Sequence, residues 1–492
     1  MRKFTFLLLV ISTALTVQNA SAQITNWSPL KRLTTGYKDT NPAFGPSNTF
    51  SSFIYKWEFL VFQRAVDTSS QICVVPLNTD GPIDTIRYLT TGNYKHRNPA
   101  IAYRIISGDS LKNAIAVWET NRNGKWDIYG AYYNSASGWG SPFPIDTTAG
   151  NKFSPVAMMY TANEFGIVYT RGDDIIHTRI NAASQTVLNE INLTGTLSAS
   201  CNSPLIGQPF NAPLTVSFRC AKPDSTFGIY KIISSNNGAS WINLDTVTTI
   251  ANNRNVQVAV GFSNAMHIFE SNRAGKSGIY AMNPGFSALE VIHSSTVFNY
   301  YGLKTWFYPI ITDVINSQVS TVIRKSSDST KILFNTAGLT TVRDSVSIGD
   351  ASKNVSIALN NGLRYANYFY FYSVFNMDSA GYTSLYYKTR AIYSTGITSL
   401  GNAVPEGFNL YQNYPNPFNP TTKIKFDIPK LSNVKIIIFD AVGREVKNVI
   451  QNNMATGSYE YEFNGESLSS GIYYFKLETN DFAKTVKMVL LK

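Results

Sequence analysis

Cysteine is almost missing from this chain, with three among 492 residues, and histidine is nearly as scarce, with four. No C-x-x-C pair occurs, and His96, His177, His267 and His293 are scattered, so no transition-metal ligand set is legible and none is expected. Each histidine reads as a satisfied structural side chain. Charge is sparse too, at 15% of residues, and acids are the poorer half, which leaves a formal net charge of +11. The basic residues are spread out rather than gathered beside stacking aromatics, so nucleic acid is not an expected partner. After the first residues no run approaches the ~20 uninterrupted apolar residues of a membrane helix. No integral membrane segment is therefore expected in the mature form. Nothing in the pattern calls for a cofactor, and no catalytic constellation can be assigned.

What the chain has in quantity is aromatic residues, 13% with 29 Tyr and 29 Phe. With Gly and Asn at turn positions, this composition suits short strands in an all-β extracellular protein. At the front, Arg2 and Lys3 precede an apolar run from Phe4 to Val17, followed by Ala20-Ser21-Ala22. That is the pattern of a signal peptide over 1–22, handled by the Sec machinery and cut between Ala22 and Gln23.

The middle of the chain repeats. Leu33-Thr34-Thr35-Gly36, Asn41-Pro42-Ala43 and Val61-Phe62-Gln63 return 56 or 57 residues later as Leu89-Thr90-Thr91-Gly92, Asn98-Pro99-Ala100 and Val117-Trp118-Glu119. Weaker copies open at Ser154, Ser203, Asn255, Tyr308 and Asn354, making seven units. Seven units of three or four short strands predict a seven-bladed β-propeller over 23–393, in which neighbouring blades bury each sheet face. Two stacked sandwiches would also supply short strands, but they do not require the same entry and apolar middle strand at seven regular intervals. The Leu33-Thr34-Thr35 strand ends a blade in the repeat, so the N-terminal segment is expected to complete the seventh blade.

Hairpins such as Asn121-Arg122-Asn123-Gly124 with a following Ile128-Tyr129 resemble the propeller of the periplasmic Tol system. Ser234-Ser235-Asn236-Asn237-Gly238-Ala239-Ser240-Trp241 resembles the Asp-box hairpin of sialidases, with Asn236 in the aspartate's place. In that family the box is a structural turn remote from the catalytic face. The residues entering the innermost strands, Asn41, Asn98, Ser154, Ser203, Asn255, Tyr308 and Asn354, form a candidate ring at one mouth of the central channel. Arg97, Arg254 and Lys353 stand immediately before three of them, which would suit a glycan or another anionic ligand. A binding or adhesion module is the preferred function; a glycan-active hydrolase or lyase is the alternative. An extracellular glycan or protein ligand is the expected partner.

Cys201 and Cys220 lie symmetrically about Phe210-Asn211, the centre of a hairpin joining the first two strands of the fourth unit. That register permits a disulfide in the oxidising periplasm. Cys73 has no such partner and should be buried in a third strand.

The tail alternates with period two, Ile424, Phe426 and Ile428 against Lys423, Lys425 and Asp427, and further strands follow between turn signals. A small Ig-like β-sandwich over 409–492 is implied, after a Gly- and Pro-containing linker at 394–408. Asn413, Pro415, Asn416, Pro417, Phe418, Asn419 and Pro420 open it. Asp440 to Val446, centred on Gly443, follow, then Leu468 to Tyr473 with Gly471, and the closing strand carries Lys487. This ordered set resembles the C-terminal type A sorting domain of the type IX (Por) secretion system of Bacteroidota-like bacteria. The resemblance implies outer-membrane export machinery and a sortase-like peptidase as partners. It also implies passage through the periplasm to the cell surface or the extracellular medium.

Overall fold

The computed structural model describes residues 27–45, 57–78, 81–82, 84–104, 113–208, 213–260, 265–282, 289–307, 318–327, 329–337, 341–349, 355–359, 363–365, 368–379, 382–393, 397–401, 405–430, 432–454, 456–466 and 468–492. Ala22 and Gln23, the expected signal cleavage site, lie outside them. Every described element is a β-strand or a single bridge, and contacts divide the chain between Ser394 and Thr395.

Seven antiparallel sheets make up the first unit. Their innermost strands are Lys38–Ala43, His96–Arg104, Lys152–Met159, Cys201–Gly207, Asn253–Val260, Asn299–Phe307 and Ile357–Leu359. Each packs beside the next, and the last packs beside the first, so seven blades surround one axis. Second strands are covered on both faces, and their sequences are accordingly continuous apolar runs rather than alternations. Asn113–Thr120, for instance, is buried at every residue. One apolar core joins Phe62 of the first blade, Trp118 of the second and Tyr372 of the seventh.

Closure comes from the segment ahead of the first blade. Lys31 and Arg32 pair with Tyr387 and Tyr386, in strand Tyr382–Tyr393 of the last blade. Ser28 N–H donates to the Thr389 carbonyl and Leu33 N–H to that of Leu385, both at 2.8 Å. Thr34 Oγ1 accepts the Leu385 N–H at 2.9 Å. Trp27, 7% exposed, packs against Phe334 of the sixth blade with ring centroids 5.1 Å apart and planes tilted by 54°.

Blades two and three are stapled by a buried ion cluster. Lys152 starts the third blade and is fully buried, its Nζ 3.1 Å from Asp127 Oδ1 and 3.6 Å from Asp146 Oδ1 on the second. Lys125 also pairs with Asp127, and Arg171 reaches Asp146 at 3.1 Å. Burial raises the pKa of both carboxyls, but hydrogen bonds outweigh it: from Lys125, Asn123 and Lys152 on Asp127, and from Thr148 and Tyr169 on Asp146, with the Lys152 charge adding. Both are held below the usual carboxylate range.

Cys201 and Cys220 face each other across the first two strands of blade four and are bonded, S–S 2.00 Å. Cys73 lies in the third strand of blade one, Ser69–Asn78, as a buried free thiol whose pKa burial pushes up to about 12.

The second unit, from Thr395, is two four-stranded antiparallel sheets. Thr421–Ile428 and Gly457–Asn464 pair in one; Ser432–Asp440 lies between Glu445–Met454 and Gly471–Glu478 in the other, with Ala483–Leu490 at its edge. The alternation read in the tail is the core face: Ile424, Phe426 and Ile428 are buried against Ile436, Ile438, Phe475 and Leu477. Within the stretch read as a linker, Ile397–Gly401 is a strand that pairs with Gly457–Asn464.

Removing residues 23–36 should cost at least the ~3–5 kcal/mol of a lost buried aromatic, lowering the Tm; unchanged melting would reject this closure. Lys152→Met should destabilise by about 3–5 kcal/mol at pH 7, because two buried carboxylates lose their shared cation. Since the folded pKa values of Asp127 and Asp146 are depressed, their contribution is present above the unfolded carboxylate pKa and is lost as pH falls through the folded values. The Lys152→Met penalty should therefore shrink in acid, which denaturant titrations at neutral and acid pH would measure. A bridge closing about 20 residues contributes roughly 3 kcal/mol in the chain-entropy model. Thiol counting on denatured, unreduced protein should find one reactive cysteine, and a Cys201–Cys220 cross-linked peptide should appear after digestion.

Candidate functional site

Asn41, Asn98, Ser154 and Ser203 share an unusual backbone, with φ of 50°, 49°, 55° and 54°. Each opens a one-residue slip in register, two residues facing one on the second strand: between Thr40 and Ala43, Arg97 and Ala100, Phe153 and Val156, and Asn202 and Leu205. Asn255 occupies the same slip between Arg254 and Gln257. The recurring Asn-Pro and Ser-Pro pairs are thus β-bulges. A short polar side chain tolerates positive φ, and the proline after it has no N–H to leave unpaired in the ladder. The sixth strand corrects the sequence reading. It runs Asn299–Phe307 with its slip between Tyr301 and Lys304, so the equivalent place falls at Gly302 rather than Tyr308. No proline marks Gly302-Leu303, whereas Tyr308-Pro309 carries the Asn-Pro-like pattern. Tyr308 and Asn354, like Lys353, lie outside the described residues.

Two of the bulge residues, Asn41 and Ser154, bond across blade boundaries. Asn41 N–H donates to Ser356 Oγ of the seventh blade at 2.9 Å, and its Nδ2 to Gln63 Oε1 at 3.1 Å. Buried Glu119 accepts Asn98 Nδ2 from its own blade at 2.8 Å and the Ser154 N–H of the next at 2.7 Å. Ser203 Oγ donates to Asn202.

Arginines are placed around the same end of the blades. Arg97 Nε donates to Glu119 Oε2 at 2.6 Å, its guanidinium 3.7 Å above Trp126; its side chain is 38% exposed. Arg254, at the same register position in blade five, donates to Glu270 at 3.0 Å and lies 5.0 Å from the Tyr301 ring, 43% exposed. In blade four the polarity is swapped: Arg219 comes from the second strand, donates to Asn202 and stacks on Phe227 at 4.4 Å. Burial, then the charge of Arg254, lowers the Arg219 pKa, with Glu270 opposing. Asp39 and Arg64 are swapped in the same sense, joined by two bonds of 2.8 and 2.9 Å.

Two exposed tyrosines complete this rim. Tyr37 and Tyr94 each follow a Leu-Thr-Thr-Gly strand and are 42% and 43% exposed. Arg64 lies 4.2 Å from the Tyr37 ring and Arg122 5.7 Å from that of Tyr94. Sequence reasoning missed them, although their 57-residue spacing was available. Arg219 had no such signal, because a cation stands where blades one, two and five carry Gln63, Glu119 and Glu270.

The Asp-box-like hairpin joins the third and fourth strands of blade four, at the other end of the sheet. Ser240 N–H and Ser240 Oγ both bond Asn236, and Gly238 N–H donates to Ser234 Oγ at 2.9 Å. Trp241 Nε1 donates to His177 Nδ1 at 3.3 Å, which puts the His177 proton on Nε2, 2.8 Å from Tyr160 Oη. Burial, then Arg179, pushes the His177 pKa down to about 3, and burial, then Lys231, does the same for His267. Burial, then Arg122, lowers His96 to about 4. Among the described residues no group of three or more His, Cys, Asp or Glu is placed to hold a metal ion.

In the C-terminal unit, the opening motif and the closing strand lie side by side. Asn413, 2% exposed, donates through Nδ2 to the Pro415 carbonyl at 3.0 Å and to Thr422 Oγ1 at 2.9 Å. Phe418, 1% exposed, exchanges backbone bonds of 2.9 Å with Val489 and Leu491, and Pro420 accepts the Gly465 N–H. Asn416 Oδ1 accepts the Val489 N–H at 2.9 Å; Pro415, Asn416, Pro417 and Asn419 remain exposed. Gly443, at φ 81°, completes a turn in which Asp440 accepts the Val442 and Arg444 N–H groups. Tyr473 is buried and donates to the Ser469 carbonyl at 2.7 Å, Gly471 pairs with Leu490, and exposed Lys487 pairs with Tyr474.

Residues 412–491 match the family described as secretion system C-terminal sorting domain. No curated protein matches the chain. Among solved structures it is similar to a protein of unknown function from Dyadobacter fermentans DSM 18053, at 10% identity over 74% of this chain and 97% of that one, TM-score 0.41. It is also similar to Hadza microbial sialidase Hz136, at 11% identity over 74% and 91%, TM-score 0.40. A polysaccharide lyase of family PL25, an ulvan lyase, is similar at 8% identity over 73% and 95%, TM-score 0.46. Residues 412–491 are a type IX secretion C-terminal sorting domain, carried by a β-propeller protein that engages that machinery and crosses the outer membrane to the cell surface or extracellular space.

Proposed function

We propose that the propeller is a binding or adhesion module for an acidic glycan, held at the rim where the innermost strands begin. Arg97, Arg219 and Arg254 would meet the carboxylate or sulfate groups, and Tyr37 and Tyr94 would lie against sugar rings. The observation that carries this reading is how the rim's acids are used. Glu119, Glu270 and Asp39 are buried and each holds an arginine. A hydrolase or lyase needs an acid and a base free to exchange protons with substrate; carboxylates locked to guanidinium groups orient cations instead. Of the ring residues, Asn41 and Ser154 support this rim by bonding across blade boundaries, and Asn98 by holding Glu119. The same reading takes 1–22 as a Sec signal peptide, 23–393 as the propeller, and 409–492 as the export domain, removed by a sortase-like peptidase in 394–408.

Glycan-array binding of the secreted protein should favour uronate- or sulfate-bearing glycans and weaken with salt. Arg219→Gln leaves no carboxylate orphaned, so its fold should survive. Loss of one charge-assisted contact, about 1.5–3 kcal/mol, should weaken binding roughly 10- to 100-fold. Equal binding of neutral glycans, or no effect of Arg219→Gln, would overturn the proposal.

A further inference from the structure

The sorting motif divides into residues that are used up inside the domain and residues that are not. Asn413 and Thr422 are 2% and 1% exposed and spend their side chains on each other and on the Pro415 carbonyl. Phe418 is in the core, its ring centroid 5.9 Å from that of Phe463. Between these pins the chain carries Tyr414, the most exposed large hydrophobic residue among those described, at 81%. Its backbone is held on both sides: Tyr414 N–H donates to the Lys423 carbonyl at 2.9 Å, and the Tyr414 carbonyl accepts the Lys423 N–H at 3.0 Å. Pro415 and Pro417 fix φ in the residues that follow. A large ring is thus presented to solvent from a backbone that cannot fold it away.

The terminal strand borders this loop. Gln412 Nε2 donates to the Lys487 carbonyl at 2.8 Å, Asn416 takes the Val489 N–H, and Phe418 bridges Leu490. Leu491, next in sequence, is 52% exposed, and Lys487 and Lys492 are exposed beside it. The two sequence ends of the matched region therefore lie side by side, and each carries an exposed apolar side chain, Tyr414 and Leu491.

We propose that this surface, with Tyr414 at its centre, is where the outer-membrane export machinery docks, and that Asn413, Thr422 and Phe418 act only by holding it in shape. The proposal rests on residues 412–491 being the export signal. A folded domain can be recognised only through what it exposes, and aromatic side chains on rigid backbone are favoured anchors because little entropy is lost when they are covered.

The test is export of the full chain in a host with the secretion system, comparing wild type, Tyr414→Ala, Tyr414→Lys, Phe418→Ala and a deletion of 412–492. Tyr414→Ala removes an exposed ring and leaves no cavity, so melting of the purified full chain should match wild type. Export of both Tyr414 variants should fall at least tenfold, with folded chain retained in the periplasm. Phe418→Ala should lose export together with domain stability, shown by proteolysis of the tail. Wild-type export of folded Tyr414→Ala or Tyr414→Lys, with the deletion retained, would overturn the docking surface while leaving the sorting domain in place. Export of the deletion itself would instead overturn the reading on which the proposal rests.

Discussion

Each propeller blade has two apolar faces and can cover neither by itself, so every sheet depends on the two beside it. A ring meets that demand only if its last blade is finished. Residues 28–34 finish it, pairing with Tyr382–Tyr393 and placing Trp27 on the sixth blade. The apolar cluster that joins Phe62, Trp118 and Tyr372 spans this junction. Burial of the first, second and seventh blades is consequently one event. The same dependence explains the Lys152 cluster. Three charges are tolerated in a buried place because cation and carboxylates come from different blades and are satisfied only when those blades meet.

The bulge at the start of the innermost strands links architecture to the rim. The bulges with positive φ at Asn41 and Ser154 place their backbone N–H groups on acceptors of the neighbouring blade. Glu119 shows the consequence: it accepts from two blades and from Arg97, so its carboxylate fixes the guanidinium that stands half exposed over Trp126. The polar ring is thus the support of the rim, and the cations above it are what a ligand could meet. In the sorting domain the same economy recurs, with Asn413 and Phe418 consumed internally and Tyr414 left outside.

Much of this was legible in the residues. Period-two alternation at Ile424, Phe426 and Ile428 named a core face because side chains on a strand alternate strictly. The 57-residue recurrence of Asn-Pro pairs named a repeated architecture, since identical local sequence demands identical local backbone. Symmetry of Cys201 and Cys220 about a turn named their cross-strand register. Less legible was anything that depends on which partner a side chain finds across a blade boundary. Tyr308 carried the Asn-Pro-like signal, yet the slip lies between Tyr301 and Lys304, where no proline marks it. Arg219 stood where blades one, two and five place Gln63, Glu119 and Glu270, and no one-dimensional pattern reveals a swapped pair.

By itself, then, the sequence determined strand content, the repeat and the sorting-domain motifs, all of which are set by neighbours along the chain: alternation, turn chemistry and proline's missing N–H. Tertiary structure alone decided that Asn41, Asn98, Ser154 and Ser203 spend polar groups within and between the blades, that Arg97, Arg219, Arg254, Tyr37 and Tyr94 share one rim, and that Tyr414 rather than Phe418 faces solvent. The physical reason is the same in each case. Whether a polar or aromatic side chain is spent or left available depends on the donors, acceptors and apolar surface brought beside it by strands far away in sequence.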